Sequence, residues 1–351
     1  MKSEEFIRMR YIIMIGLLLG MAVGAWGQQK ARRVKRGIIL VEDSVKGVRA
    51  FEPYKGSMQH AGGYADIVNR YKQAFPDVNV YCMVIPNAVA IYCPDTAKSW
   101  TQDERPYLRH ISEGLLPEVK AVEILDTLIA HAEEPIYSRT DHHWAPLGAW
   151  YAARCFAEAA GTPFRPLSDY EPRTVKDYVG SMWTFTRDKA VKNSPEDFTY
   201  YMPKDSSFTA TRILYKRATK RTGRRGRKRR VVSTRMTATE PETFSFFRRY
   251  EDGSSGAYCT FMGGDTNTTS VKTGTNNGRR LMILKDSYGN ALPSCLFGSF
   301  EEIHVVDCRY FTQNMRDFVR EKGITDMLFC NNLIHASMPM VAENYKKFLT
   351  Q

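Results

Sequence analysis

The C-terminal part of the chain constrains the fold most strongly, because short apolar runs alternate there with helical patterns. Three strands and two helices are predicted, with strands at 281–284, 303–307 and 326–330 and helices at 291–297 and 313–322. Strands separated by single helices form parallel sheets whose faces are covered by those helices. We therefore predict an α/β fold with a parallel sheet flanked by helices, which binds its ligand at the carboxyl ends of the strands.

Residues 37–160 contain further elements of the same kind. Strands are predicted at 37–41 and 78–86, a short extended segment at 135–138, and helices at 64–75, 119–132 and 146–160. The second strand is apolar at nearly every position, which is typical of a strand buried on both faces. The last helix has Pro146 in its first turn and Gly161 as its stop. This half of the chain thus extends the predicted sheet.

Residues 163–278 differ in composition, being rich in Pro, Thr, Ser, Asn and Gly. We interpret them as an irregular, β-containing insertion rather than an independent domain. They include a tract, 216–230, with ten Lys or Arg in fifteen residues, and removing these ten leaves +2 of the chain's formal charge of +12. The tract lacks interleaved aromatic residues and any nucleic-acid-binding motif, so nucleic acid is not the expected partner. We expect a solvated loop that contacts anionic polysaccharide or lipid head groups.

Residues 1–27 have the pattern of an export segment. A positive start is followed by a hydrophobic run from Tyr11 to Val23, and a stretch of small residues then offers a cleavage site before Gln28. Two interpretations remain open, a cleaved signal peptide and an uncleaved signal anchor. Either places the domain at 28–351 outside the cytoplasm, in the periplasm or the extracellular space. The seven cysteines show no metal-ligand spacing, which argues against structural zinc, and their pairing stays open.

Ser287 follows a predicted apolar strand and precedes Tyr-Gly-Asn. A serine at such a strand-turn-helix junction lies at the rim of the sheet, with backbone amides nearby that can stabilise an oxyanion. The alternative is that Asp286 or Ser287 only caps the helix. A similar Asp-Ser pair ends at Ser44, but no small-residue turn follows it, so Ser287 is the stronger candidate.

The stretch Thr140-Asp141-His142-His143-Trp144 places three ionisable groups in a row. Residues at i and i+2 of an extended segment face the same way, which favours Asp141 with His143 as a carboxylate and the imidazole that it orients. Metal ligation by the same residues is a competing interpretation. A third alternative is that the histidines are only buried hydrogen-bonding residues beside Trp144.

Together these motifs resemble the DHHW family of the SGNH-hydrolase-like superfamily, which also includes periplasmic O-acetyltransferase domains acting on alginate and related polysaccharides. The resemblance rests on the export segment and on three stretches, 140–148 (TDHHWAPLG), 285–291 (KDSYGNA) and 306–311 (VDCRYF). It implies that Ser287 is the nucleophile, His143 the base and Asp141 its acid. Lys285 replaces a glycine that is usual in the wider superfamily. The Asp-x-His pair precedes the serine, as in the polysaccharide acetyltransferases.

The resemblance also implies further roles around the triad. The backbone N–H of Ser287, helped by the Gly180-Ser181 loop or by Asn331, would bind the oxyanion. Side-chain chemistry, rather than the resemblance, suggests contacts with sugar from Arg309 and from two aromatic residues taken to be exposed, Trp144 and Trp183, since forked donors and aromatic faces suit carbohydrate rings. No metal and no organic cofactor is expected.

The sequence thus predicts an exported serine esterase or O-acetyltransferase that acts on a cell-envelope or extracellular polysaccharide. The expected partner is a polysaccharide or other acylated glycan, and the resemblance implies a membrane protein that supplies acetyl groups. Two alternatives stay open: a catalytically inactive glycan-binding or envelope-assembly protein of the same fold, and a polyanion-binding protein that works through the basic tract.

Overall fold

The computed structural model describes residues 30–43, 47–205, 207–221, 231–265 and 267–351. The predicted export segment, Ser44 and residues 222–230 of the basic tract lie outside these ranges. Within the described ranges, no helix combines the length and the apolar character needed to cross a bilayer.

The strands and helices of the described residues are as follows. The strands are β1 (Lys30–Arg33), β2 (Ile39–Asp43), β3 (Gly47–Phe51), β4 (Asn79–Cys82), β5 (Val119–Ala121), β6 (Tyr170–Tyr178), β7 (Glu196–Pro203), β8 (Thr209–Arg221), β9 (Val231–Ala238), β10 (Glu242–Thr243), β11 (Asn267–Lys272), β12 (Arg280–Lys285), β13 (Glu302–Asp307) and β14 (Asp326–Cys330). The helices are α1 (Met58–Ala74), α2 (Ala88–Tyr92), α3 (Arg105–Glu113), α4 (Leu125–Ala130), α5 (Pro146–Ala160), α6 (Ser181–Thr186), α7 (Lys189–Lys192), α8 (Met315–Lys322), α9 (Leu333–Ala336) and α10 (Pro339–Phe348).

A central sheet has the strand order β10-β8-β11-β13-β12-β14-β4-β5, with β9 paired to β8. The five strands from β13 to β5 run parallel. Every residue of β14 and all but the first of β12 and β13 are buried, because helices cover both faces of a parallel sheet. The predicted parallel α/β sheet is therefore confirmed.

Strand β12 is an inner strand of the parallel part of this sheet, with β13 on one side and β14 on the other. The chain leaves β12 towards β13 and later returns on its opposite side to form β14. Loops diverge at such a reversal of strand order and leave a crevice beyond the carboxyl end of the strand. Ser287 lies in the turn directly after β12.

Residues 163–278 contribute the antiparallel part of the same sheet. Strand β11 joins β13 to β8, and β8 also pairs with β9 and β10. The basic tract was predicted as a loop, which is wrong for residues 216–221, because they continue β8 and pair with β9. Strands β6 and β7 form a separate two-stranded sheet. The domain boundaries at 28–351 and 163–278 stay a prediction.

Two helix predictions are wrong in part. The segment 119–132 begins as strand β5, since Val119–Ala121 pairs with β4, and only Leu125–Ala130 is helical. The segment 291–297 forms no α-helix; instead, the 3₁₀ helices Ser287–Ala291 and Pro293–Leu296 follow each other. Pro293 has no N–H to donate to a residue one turn earlier, so a continuous α-helix through it is disfavoured.

Helix α5 agrees with the prediction, beginning at Pro146 and ending before Gly161, whose φ of 64° closes the helix. Helix α1 begins at Met58, six residues before the predicted start, and ends at Ala74. All seven cysteines fall within the described residues and have free thiols.

A three-stranded antiparallel sheet, β1-β2-β3, packs beside the segment that carries the histidines. The predicted strand at 37–41 begins only at Ile39, because Lys35–Gly37 forms a 3₁₀ turn in which Arg36 has a φ of 62°. The Ala50 N–H of β3 donates to the Arg139 carbonyl at 2.9 Å. This small sheet therefore supports one wall of the site.

Candidate active site

The histidine-bearing segment is a tight turn closed by an isolated bridge between Tyr137 and Trp144. Within it, one oxygen of Asp141, Oδ1, accepts from both the backbone N–H of His143 at 3.0 Å and its ring Nδ1 at 2.5 Å. The expected pair, Asp141 with His143, does form. The pair forms because the Asp141 side chain accepts from the backbone two residues further on, which is the geometry of a turn. The alternation of side chains along an extended strand, on which the prediction was based, is not the cause.

The structure brings Asp141, His143 and Ser287 together. The Nε2 atom of His143 lies 2.8 Å from the Ser287 Oγ, while its Nδ1 is held by Asp141. All three side chains are buried, with no residue more than 9% exposed. An imidazole in this position can take the serine proton as the hydroxyl attacks a carbonyl carbon, and the carboxylate fixes the tautomer that does so.

Ser287 is presented by the end of β12 and by the 3₁₀ turn that it begins. Asp286 caps this turn, accepting from the Tyr288 N–H at 2.9 Å, so the capping interpretation holds for Asp286. Gly289 lets the turn fold back onto the strand, since a Cβ there would lie 2.5 Å from the Cβ of Lys285. The turn therefore aims the Ser287 hydroxyl at His143.

Lys285 is fully buried and donates to Asp307 at 2.8 Å. Burial lowers the pKa of its ammonium, but the charges of Asp307 and Asp265 outweigh this, so the pKa is raised. Arg309 donates through two nitrogens to Asp307 and pairs with Asp265 at 2.9 Å. Arg309, proposed for sugar contact, is thus bound to two carboxylates at the ends of neighbouring strands.

The charge states favour an imidazole base. Burial raises the pKa of Asp141, but the adjacent His143 and the Ser181 N–H, which donates to Oδ2 at 2.7 Å, hold that pKa well below its usual value. Burial lowers the pKa of His142 to about 4, so its ring is neutral at pH 7. Its Nδ1 lies 2.5 Å from the Ser181 Oγ, and its ring packs against that of His143.

The proposed oxyanion donors differ in whether their N–H groups already have hydrogen-bond acceptors. The Gly180 N–H donates to Thr140 Oγ1 at 3.1 Å, and the Asn331 amide oxygen accepts from the hydroxyls of Tyr64 and Tyr345. The Asn331 amide nitrogen faces Asp286 and a cysteine sulfur. Among the described residues, the Ser287 N–H has no acceptor, so it is the remaining candidate of the group.

Gly180 contributes to the site because it has no side chain, and not because its N–H binds the oxyanion. A Cβ at this position would lie 2.4 Å from the Asp141 Cβ and 2.5 Å from its Oδ2. We expect Gly180→Ala to displace the carboxylate and lower acyl turnover about tenfold or more, since small shifts of catalytic groups are costly. The control is Gly63→Ala in α1, where a Cβ meets nothing within 4 Å. Equal turnover in both variants, measured with p-nitrophenyl acetate, would contradict this role.

Trp144 was expected to be exposed for sugar contact, and this is wrong. Its side chain is fully buried, and its indole N–H donates to the Tyr288 carbonyl at 2.8 Å. The bridge to Tyr137 turns the ring inwards, where it links the histidine turn to the serine turn. Trp183 is only half-buried and packs beside the cations of Arg187 and Lys192.

Sequence reasoning missed three residues that hold the triad. The ring of Tyr258 stacks on His143 with centroids 3.8 Å apart, and its hydroxyl donates to the Ser287 and Tyr288 carbonyls. Glu196 accepts from the Arg139 and Thr140 amides. Tyr258 and Glu196 come from the predicted insertion, whose irregular sequence gives no sign of such contacts.

The third is His335, whose Nδ1 lies 2.8 Å from Asp286 Oδ2. Burial lowers the pKa of His335, but the bond to Asp286 and its charge reverse this and raise it. Since His335 follows β14 by only a few residues, the rule that ligands gather at strand ends could have identified it.

Asp141, His142 and His143 are also the group of described residues that could hold a metal ion, their ligand atoms lying within 4.8 Å of one another. The carboxylate oxygens and three of the four ring nitrogens already have hydrogen-bond partners in the triad or on Ser181. An ion would have to replace those bonds. The absence of a metal or organic cofactor from the reaction stays a prediction.

The chain is similar in sequence and in fold to known proteins. The family model described as DHHW protein matches residues 25–217. A DHHW family protein from Eubacterium siraeum is 35% identical, with a TM-score of 0.77 over 91% of this chain and 97% of its own. PatB1 of Bacillus cereus, in a structure with a sulfonyl adduct, is 18% identical, with a TM-score of 0.62 over 87% of this chain and 97% of its own. No curated protein matches the sequence.

The family model covers more than half of the chain and includes the histidine turn, though it ends before Ser287. The Eubacterium protein matches along nearly the whole length of both chains. PatB1 shows that the same fold occurs at much lower identity. By its sequence and its structure, this chain belongs to the DHHW family.

Proposed function

We propose that this protein is a serine-dependent O-acetyltransferase or esterase that acts on a cell-envelope or extracellular polysaccharide. The single observation that carries the proposal is the continuous hydrogen-bonded series Asp141–His143–Ser287, with 2.5 Å and 2.8 Å between the paired atoms. Its members come from segments far apart in the sequence. If Ser287 were only a helix cap, or His143 only a buried hydrogen-bonding residue, this three-membered series would not be needed.

The proposed reaction has two halves. Ser287 Oγ attacks the carbonyl carbon of an acetyl ester, its proton passes to His143 Nε2, and the carbon–oxygen bond to the leaving group breaks as that group takes the proton. A sugar hydroxyl or water then gives its proton to His143 and attacks the acetyl-serine; the bond between the acetyl carbon and Ser287 Oγ breaks, and Oγ takes the proton back from His143. The Ser287 N–H is the proposed donor to the oxyanion. A sugar acceptor makes the protein a transferase, and water makes it an esterase.

The location and the partners belong to the same proposal. The export segment predicted at 1–27 supports an extracytoplasmic protein, with a polysaccharide acceptor and a membrane protein as acetyl donor. A further support for the chemistry is that PatB1, which shares the fold, has been captured with a sulfonyl adduct.

The test uses p-nitrophenyl acetate as donor and a mixed set of oligosaccharides as acceptors. We expect p-nitrophenol release, acetylated oligosaccharide or free acetate as product, and labelling of Ser287 by phenylmethylsulfonyl fluoride, located by peptide mass spectrometry. A folded protein that neither turns over the ester nor takes the label would favour the inactive glycan-binding alternative.

A further inference from the structure

A cavity of about 520 Å³ lies between the turn that joins β1 to β2 and the segment after β3. Three cationic residues line it, Arg33, Arg36 and Lys55, whereas Glu52 is the one carboxylate among the described residues of its lining. All three cations are exposed, and no carboxylate in the described part of the chain forms an ion pair with them. The cavity is thus a local excess of positive charge, separate from the basic tract.

Three contacts connect the cavity to the triad, although no triad side chain lines it. The Arg36 guanidinium lies 5.2 Å from the ring centroid of Phe185, which is itself 5.5 Å from the ring of His142. On the opposite wall, Ser337 accepts or donates a 2.8 Å bond with the Tyr54 hydroxyl. Ser337 lies two residues from His335, the partner of Asp286.

Glu52 is the third connection, because it interacts electrostatically with Arg36 in the cavity and with His335, the partner of Asp286. Burial, the main cause, raises the pKa of the Glu52 carboxyl. The backbone gives independent support. Arg36 has a φ of 62°, a left-handed conformation that is costly for a residue other than glycine and that is often found at ligand sites.

From this geometry we propose that the cavity binds an anionic group of the acceptor glycan, either a carboxylate or a phosphate. Guanidinium groups bind both anions through paired N–H donors, and a lysine ammonium adds a further charge. The inference rests on the proposed function, since it identifies the acceptor as an acidic rather than a neutral glycan. An acidic group held here places the rest of the sugar chain beside the histidine turn.

The test measures binding to the Ser287→Ala protein by calorimetry, so that it does not depend on turnover. The probes are a galacturonate trisaccharide, inorganic phosphate and the neutral maltotriose. We expect the galacturonate to bind at least about tenfold more tightly than maltotriose. Its affinity should fall as the salt concentration rises. Arg36→Gln should weaken it about tenfold, and Lys55→Gln should also weaken it. Glu52→Gln should tighten it, because a repulsive charge is removed.

Lys347→Gln is the matched control, since it removes one exposed positive charge on α10 outside the cavity lining. Equal affinity for galacturonate and maltotriose, with no effect of Arg36→Gln or Lys55→Gln on phosphate, would overturn the inference. If only phosphate binds in a way that depends on these residues, the acidic group is a phosphate. If the wild-type protein turns over no ester but still binds galacturonate in a way that depends on Arg36, the proposed function is refuted and the inferred binding site is supported.

Discussion

Replacing Ser287 with alanine is expected to lower acyl turnover by roughly 10³-fold or more, because the attacking oxygen is removed. His143→Ala should cost a similar factor, since its Nε2 lies 2.8 Å from that oxygen, where it can take the proton. The two residues act on one proton, so the double variant should be no slower than the worse single variant. The measurement is p-nitrophenol release under saturating p-nitrophenyl acetate.

Ser44→Ala is the control for this prediction, because Ser44 also follows an aspartate at the end of an apolar run. Its turnover should equal that of the wild type. Thermal unfolding followed by circular dichroism checks that each variant is folded. A Ser287→Ala protein that is folded and as fast as the wild type would refute the triad as the source of any activity.

The second large effect concerns stability and its dependence on pH. Glu104 is fully buried, and burial raises the pKa of its carboxyl to about 8 despite hydrogen bonds from the Asn87 N–H and side-chain amide. The folded state therefore holds this proton more tightly than the unfolded state, whose pKa is near 4.5. The resulting stabilisation is complete below that lower pKa and is lost as pH rises through about 8.

Glu104→Gln keeps a neutral side chain of the same shape at every pH. Between pH 4 and pH 9, the free energy of unfolding of the wild type should therefore fall relative to the variant by roughly 3–5 kcal/mol. Urea unfolding at several pH values measures this difference, with the exposed Glu118→Gln as control. If the difference in free energy of unfolding between wild type and Glu104→Gln does not change with pH, the hydrogen bonds from Asn87 keep the Glu104 carboxylate ionised.

The same carboxyl also bears on the site, because Asn87 connects it to the serine turn. The Asn87 amide oxygen accepts from Asn332 at 2.7 Å and from the Tyr288 hydroxyl at 3.4 Å. Loosening around Glu104 at high pH should therefore also reduce turnover, and Glu104→Gln should retain more activity than the wild type there.

The local sequence determined those features that depend on near neighbours. The apolar runs identified β12, β13 and β14 as buried parallel strands, since a strand covered on both faces has few polar residues. Pro146 and Gly161 marked the two ends of α5. The pairing of Asp141 with His143 was also accessible, because the two residues are only two positions apart along the chain.

Only the tertiary structure decided which distant groups meet. Tyr258 stacks on His143, Glu196 holds the backbone of Thr140, and Trp144 turns inwards to the Tyr288 carbonyl, each across a long sequence separation. Strand β5 replaced a predicted helix because its partner β4 was available. Propensity and periodicity report on a few neighbouring residues, whereas these contacts depend on strand order and loop path, which are set by packing of the whole sheet.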